Sequence, residues 1–151
     1  MQEIDWSKHT FIIPEKKVKN PELHTQWMAS NAYKELIAFF THLQTAITSK
    51  AISKTPVNQG PIYLAFYKWF QTLDNLLNEC PPIKQPMRFG NRAFKDWHDK
   101  IMEPIDTLLD EILEGPKKGA KEELALYLKE SFGSEVRIDY GTGHELTFAV
   151  F

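Results

Sequence analysis

From Phe94 to Ile112 apolar side chains recur at three- and four-residue steps, through Trp97, Ile101, Ile105, Leu108 and Leu109. That is the period of an α-helix with one face turned to a core. The same period runs through Tyr33, Leu36, Ile37, Phe40, Leu43 and Ile47, and again through Ile62, Ala65, Phe66, Trp69, Phe70, Leu73, Leu76 and Leu77. Leu124, Tyr127, Leu128 and Ser131 share one side of a fourth segment. No strand-like alternation competes with these stripes, and the sequence has no repeat of fixed length. The chain is therefore expected to be all-α, a multi-helix domain with four buried stripes.

Proline, glycine and asparagine set the expected boundaries. Residues 1–19 hold no sustained period and read as an N-terminal arm anchored by Phe11-Ile12-Ile13-Pro14, with the helical body at 20–151. Asn20 before Pro21 is a start signal, because asparagine caps free amides and proline fits the first turn. A helix is expected from there, or from Ser30, to Lys50. Ser53 to Gly60 is a polar connection, and Pro61 opens a second helix that Pro81-Pro82 ends after about Glu79. Asn91 caps the third, where Pro104 predicts a kink or a break. Gly115-Pro116 ends it. A fourth helix runs from about Gly119 to Phe132, with Gly133 as its left-handed stop. Thr142-Gly143-His144-Glu145 fits a capping box at the start of a last one.

Length and charge narrow the function classes. With 151 residues, 42% of them hydrophobic, the chain has the size and composition of one globular domain. A formal net charge of -2 gives no basic surface for a nucleic-acid backbone or an acidic membrane. The single cysteine, Cys80, excludes an intrachain disulfide framework and fits a reducing compartment. The acidic start lacks the charge pattern of a secretory signal, and no apolar run approaches the roughly 20 residues of a membrane span. A soluble cytosolic protein is expected.

The chemistry concentrates in Arg137-Ile138-Asp139-Tyr140-Gly141-Thr142-Gly143-His144-Glu145. A purely structural reading covers most of it: a turn at Gly141, a cap from Thr142 and Glu145, and an ion pair of Arg137 with Asp139 or Glu145. It leaves Gly143, which costs about 1 kcal/mol relative to alanine inside a helix, and His144 beside it. A helix N-terminus behind glycine with an arginine nearby suits a phosphate or carboxylate. The string is neither a dinucleotide fingerprint nor a Walker A loop. A second candidate is Arg88-Phe89-Gly90-Asn91, which reads as a glycine turn and helix cap or as a partner surface. The five histidines have no second ligand at zinc spacing, so no metal site is expected, and no nucleophile motif occurs.

Phe11 to Pro14, Trp27 with Ser30-x-Ala32-Tyr33, Pro81-Pro82 followed by Gln85-Pro86-x-Arg88-Phe89-Gly90-Asn91-x-Ala93, Tyr127 to Ser131, and Arg137 to Glu145 occur in an order that resembles the phosphotyrosyl phosphatase activator family. The likeness runs from about Phe11 to the last residue. It implies an all-helical activator of serine/threonine-protein phosphatase 2A, also classed as a peptidyl-prolyl cis-trans isomerase, and assigns no catalytic residue in this chain. The implied partners are the phosphatase catalytic and scaffold subunits and a proline-containing peptide, with no nucleic acid or membrane, in the cytoplasm and with a nuclear pool left open. ATP and Mg2+ are the implied cofactors, with Arg137, Thr142 and Gly143 contacting ATP. Asp139, Tyr140, Gly141, His144 and Glu145 are further pocket candidates, and Arg88, Phe89, Gly90 and Asn91 are candidates for the partner or peptide surface. Members of the family continue for about as many residues again and carry there further ATP contacts and the magnesium-contacting residues. The apolar end Leu146 to Phe151 reads as a helix cut short, so the chain is expected to be the N-terminal half of such a protein. The alternative is a non-catalytic helical interaction module.

Overall fold

A computed structural model describes residues 5–51, 59–86 and 90–151, with only the backbone of Thr142. The chain forms two compact units, one from Glu15–Asn58 and one from Met1–Pro14 with Gln59–Phe151. Every regular element among the described residues is helical, and the one backbone bridge outside helices joins Ser134 and Asp139.

The smaller unit holds α1 (Pro21–Ala29) and α2 (Asn31–Ile47), so both expected starts are used. Asn20 accepts the Leu23 N–H at 2.8 Å, and Ser30, whose extended backbone separates the helices, accepts the Tyr33 N–H at 3.1 Å. Each cap meets an amide that has no partner within its own helix. α2 stops at Ile47, short of Lys50, where Ser49 takes a positive φ of 62°. The expected burial of its stripe is not found within this unit. Ile37, Leu43 and Ile47 are exposed, and Tyr33, Leu36 and Phe40 are half-buried. Nine-residue α1 is too short to cover the apolar face of a 17-residue helix.

The larger unit contains α3 (Pro61–Glu79), α4 (Ala93–Lys100), α5 (Met102–Ile112), α6 (Lys121–Glu130) and α7 (Thr142–Val150). The expected fourth helix is divided: Gly115–Ala120 forms a 3-10 segment before α6 begins. α5 lies between α3 and α6, and α6 meets α7. The core runs along Ala65, Trp69 and Leu73 of α3 to Ile101, Ile105 and Leu109, with Leu128 of α6 closing it. Ile62, Phe70 and Leu77, expected on the same buried face of α3, are exposed instead. Here the line at i, i+4 and i+8 is enough to fill the contact with α5.

Pro104 acts as its chemistry requires. It cannot donate to the Lys100 carbonyl, and its ring would clash with it, so α4 ends at Lys100 and Pro104 sits in the first turn of α5. In the N-terminal arm the anchor is Phe11 rather than the isoleucines. Phe11 is half-buried and stacks on Trp6 at 6.3 Å between centroids, whereas Ile12 and Ile13 are exposed. A Cβ at Gly119 would come within 2.7 Å of the Phe11 ring, which shows how closely the arm lies on the 3-10 segment.

Candidate functional site

Between α6 and α7 the chain makes a tight turn that holds the first half of the Arg137 to Glu145 string. The Ser134 N–H donates to the Asp139 carbonyl at 2.9 Å, and the Ile138 N–H donates to the Ser134 carbonyl at 2.7 Å. Ile138 has φ of +53°, a conformation that costs a β-branched residue roughly 1–3 kcal/mol. The turn is held by its surroundings. Phe132, just before it, packs edge-on against Trp69 and Trp97 at 5.7 and 5.5 Å. Gly133 follows at φ of +111°, as the sequence predicts, and a Cβ there would lie 2.7 Å from the Asp139 carbonyl oxygen.

Gly90 closes the turn from the other side. A Cβ at Gly90 would overlap the Ile138 carbonyl oxygen and lie 2.6 Å from Ile138 Cγ2. The two motifs that stand 47 positions apart, at Gly90 and Arg137, are therefore in backbone contact through Ile138. Asn91 beside it accepts the Ala93 N–H at 3.0 Å at the start of α4 and donates to the Ile83 carbonyl at 2.8 Å. The cap position of α4 is Arg92, so Asn91 stands one residue before the place expected for it, and its side chain meets the amide of the first helical residue while tying down the proline-rich segment. Arg88 and Phe89 lie outside the described residues.

Arg137 chooses Asp139 of its two expected partners, with Nε 2.8 Å from Oδ2. Both side chains are exposed, so the pair contributes little to stability. The bond uses Nε, and the guanidinium carries four further N–H groups on its two Nη atoms. α7 begins one position earlier than a capping box needs. Gly141 is the cap residue and Thr142 the first helical one, so Thr142 does not occupy the capping position. The extended Gly141 supplies the carbonyl that accepts the His144 N–H at 2.9 Å. His144 is turned inward: its Nδ1–H donates to the Glu130 carbonyl at 2.6 Å, and Tyr140 stacks on the ring at 5.5 Å. Glu145 is exposed. A Cβ added at Gly141 or Gly143 would meet nothing within 4 Å.

Two features beside the turn were not visible in the sequence. A cavity of about 450 Å³ opens next to it, lined by Cys80, Pro82, Asn91, Trp97, Phe132 and Tyr140 among others. It joins the loop before α4 to the turn before α7 and is mostly apolar, in the size range of small-ligand pockets. The second is an ionic cluster. Buried His98 on α4 donates from Nδ1 to Glu135 Oε2 at 2.9 Å, and Lys129 Nζ lies 3.5 Å from the same oxygen. The His98 bond, with the Lys129 charge behind it, holds the Glu135 carboxyl below its ordinary value. Asp99 brings a third metal-ligating atom within 4.8 Å of the other two. Lys129 already supplies a positive charge there, which is the simpler balance for Glu135. No spacing in the sequence could have shown this cluster, because His98 and Glu135 are 37 residues apart.

The larger unit is an all-helical protein domain with an arginine-bearing glycine turn ahead of its last helix. Residues 14–151 match the family described as phosphotyrosyl phosphate activator (PTPA) protein, and the chain belongs to that family. It is 39% identical over 137 residues to the serine/threonine-protein phosphatase 2A activator of Drosophila melanogaster, covering 90% of this chain and 34% of the relative. It is 31% identical to the probable serine/threonine-protein phosphatase 2A activator 1 of Dictyostelium discoideum, covering 97% of this chain and 45% of the relative. The crystal structure of the PP2A phosphatase activator Ypa1 superposes with a TM-score of 0.83 at 31% identity, over 96% of this chain and 47% of that one. The chain thus spans about a third to a half of the length of these relatives.

Proposed function

We propose that this chain is the part of a phosphatase 2A activator that binds the phosphates of ATP, and that the whole protein activates the phosphatase by acting on its catalytic and scaffold subunits. The activator role rests on the names of the relatives and on the family match. The nucleotide role rests on one observation. Gly141 is the cap residue, a place that suits glycine, whereas Gly143 in the first turn of α7 faces open space, and no contact among the described residues accounts for its missing side chain. Glycine that packing does not require is explained by something that approaches the backbone from outside. The amides of Thr142 and Gly143 and the Nη groups of Arg137 would then converge on a phosphate. Magnesium supplies charge neutralisation for the polyphosphate and would arrive with the nucleotide.

Peptidyl-prolyl isomerisation is the second half of the proposal. It requires no nucleophile, only tighter binding of the twisted amide than of the planar one. The apolar cavity lined by Asn91, Phe94 and Trp97 has room for a proline ring and its neighbours. The competing reading, a non-catalytic interaction module, draws on the bond from Arg137 to Asp139, which satisfies part of the arginine internally.

ATP-magnesium titrated against the chain and its Arg137→Ala variant separates the two. Affinity lost in the variant supports the nucleotide site, and equal affinity supports the module. Pull-down and activation of the catalytic–scaffold dimer by a version extended to the relatives' length tests the activator role. Failure of both binding and activation would remove it.

A further inference from the structure

We infer that Glu135 is a positioning residue for the Arg137 to Gly143 anion site, held in place by the buried ring of His98. The inference rests on the proposed nucleotide site and adds a residue outside the Arg137 to Glu145 string. Three observations carry it. The first is strain: Ile138, between Arg137 and Asp139, is held at φ of +53°, and such a conformation persists only when the surroundings over-determine it. The second is the anchor. Glu135 lies inside the bridged turn, and its carboxylate accepts a bond from a histidine that is 3% exposed, on a helix that forms part of the core.

The third is a cost that packing alone does not explain. His98 Nε2 is buried and has no hydrogen-bond partner among the described residues. A buried polar atom left without a partner destabilises the fold, so an apolar side chain would serve the core better if packing were its only task. What the imidazole adds is the Nδ1–H aimed at Glu135. Lys129 reinforces the arrangement from α6, so two helices hold the carboxylate and the carboxylate holds the turn. Gly90 and Gly133 fix the turn by shape, and Glu135 fixes it by accepting the bond from His98.

The test compares Glu135→Ala with Glu135→Gln in the 151-residue chain, reading amide exchange and ATP-magnesium affinity. Glutamine keeps the acceptor for His98, and alanine does not. Glu135→Ala is expected to speed exchange of the Ser134 and Ile138 amides and to weaken nucleotide binding about 3–10-fold, the scale of one partly exposed charged hydrogen bond. Glu135→Gln should restore both to within about two-fold of the parent. Amides of α5 should not change in either variant. Unchanged exchange in Glu135→Ala overturns the inference. So does weaker binding without faster exchange, which would make Glu135 a direct ligand contact. If the parent chain binds no nucleotide, the site reading falls, and the exchange data still decide whether Glu135 holds the turn.

Discussion

Gly143→Ala moves stability and binding in opposite directions if the glycine serves a ligand. Gly143 is the second residue of α7, is exposed, and has open space where a Cβ would go. The new methyl therefore meets no neighbour, and no positive φ is lost, since Gly115 and Gly133 are the glycines that hold one among the described residues. Only the helical preference of alanine over glycine remains. It is worth about 0.5–1 kcal/mol, reduced near a helix end. For a chain of this size that raises Tm by roughly 1–4 °C. The same methyl would stand between the α7 amides and a phosphate. A steric intrusion of this kind costs about 1–3 kcal/mol, a loss of roughly 5–150-fold in affinity. Thermal unfolding followed by circular dichroism gives the first quantity and calorimetric titration with ATP-magnesium the second. A variant that is less stable, or that binds as tightly as the parent, would refute the reasoning.

Two further predictions concern the turn. Gly90→Ala drives a Cβ into the Ile138 carbonyl, so it should destabilise the larger unit by about 1–3 kcal/mol and weaken nucleotide binding, although Gly90 itself lies outside the anion site. Denaturant unfolding with parallel titration checks both, and unchanged values would show that the two motifs are not coupled. The Glu135 carboxyl is held below its ordinary value first by the His98 bond and then by Lys129. Its stabilisation is thus complete above the usual carboxylate value, about 4.3, and is lost as pH falls through the lowered one. The stability difference between the parent and Glu135→Ala, measured by denaturant unfolding at stepped pH, should shrink only at the acid end. A difference that shrinks at neutral pH would contradict the assignment.

Local signals were legible where a single residue type forces the backbone. Pro61 and the Pro81-Pro82 pair bound α3 as expected, Pro104 broke the third helix, and Gly133 took its positive φ. Burial was less legible. Helical period marks a stripe, but how much of it is covered depends on what packs against it, and Ile37 and Leu77 stayed exposed. The capping box failed by one position because extended Gly141 provides the same carbonyl that a threonine cap would. In the candidate site the string itself was readable from its crowding of glycine and charge. Its supports were not. Gly90 meets Ile138, and His98 meets Glu135, only because α4 packs beside the end of α6, and no spacing in the sequence records such a meeting.

The proposed function has Arg137, Thr142 and Gly143 receive a phosphate. Amide chemical shifts of the 151-residue chain, recorded as ATP-magnesium is added, test it most directly. Saturable shifts clustered at residues 137–145 and at Gly90, reduced in Arg137→Ala, are expected. Shifts that are absent, that fall elsewhere, or that persist undiminished in Arg137→Ala would contradict it.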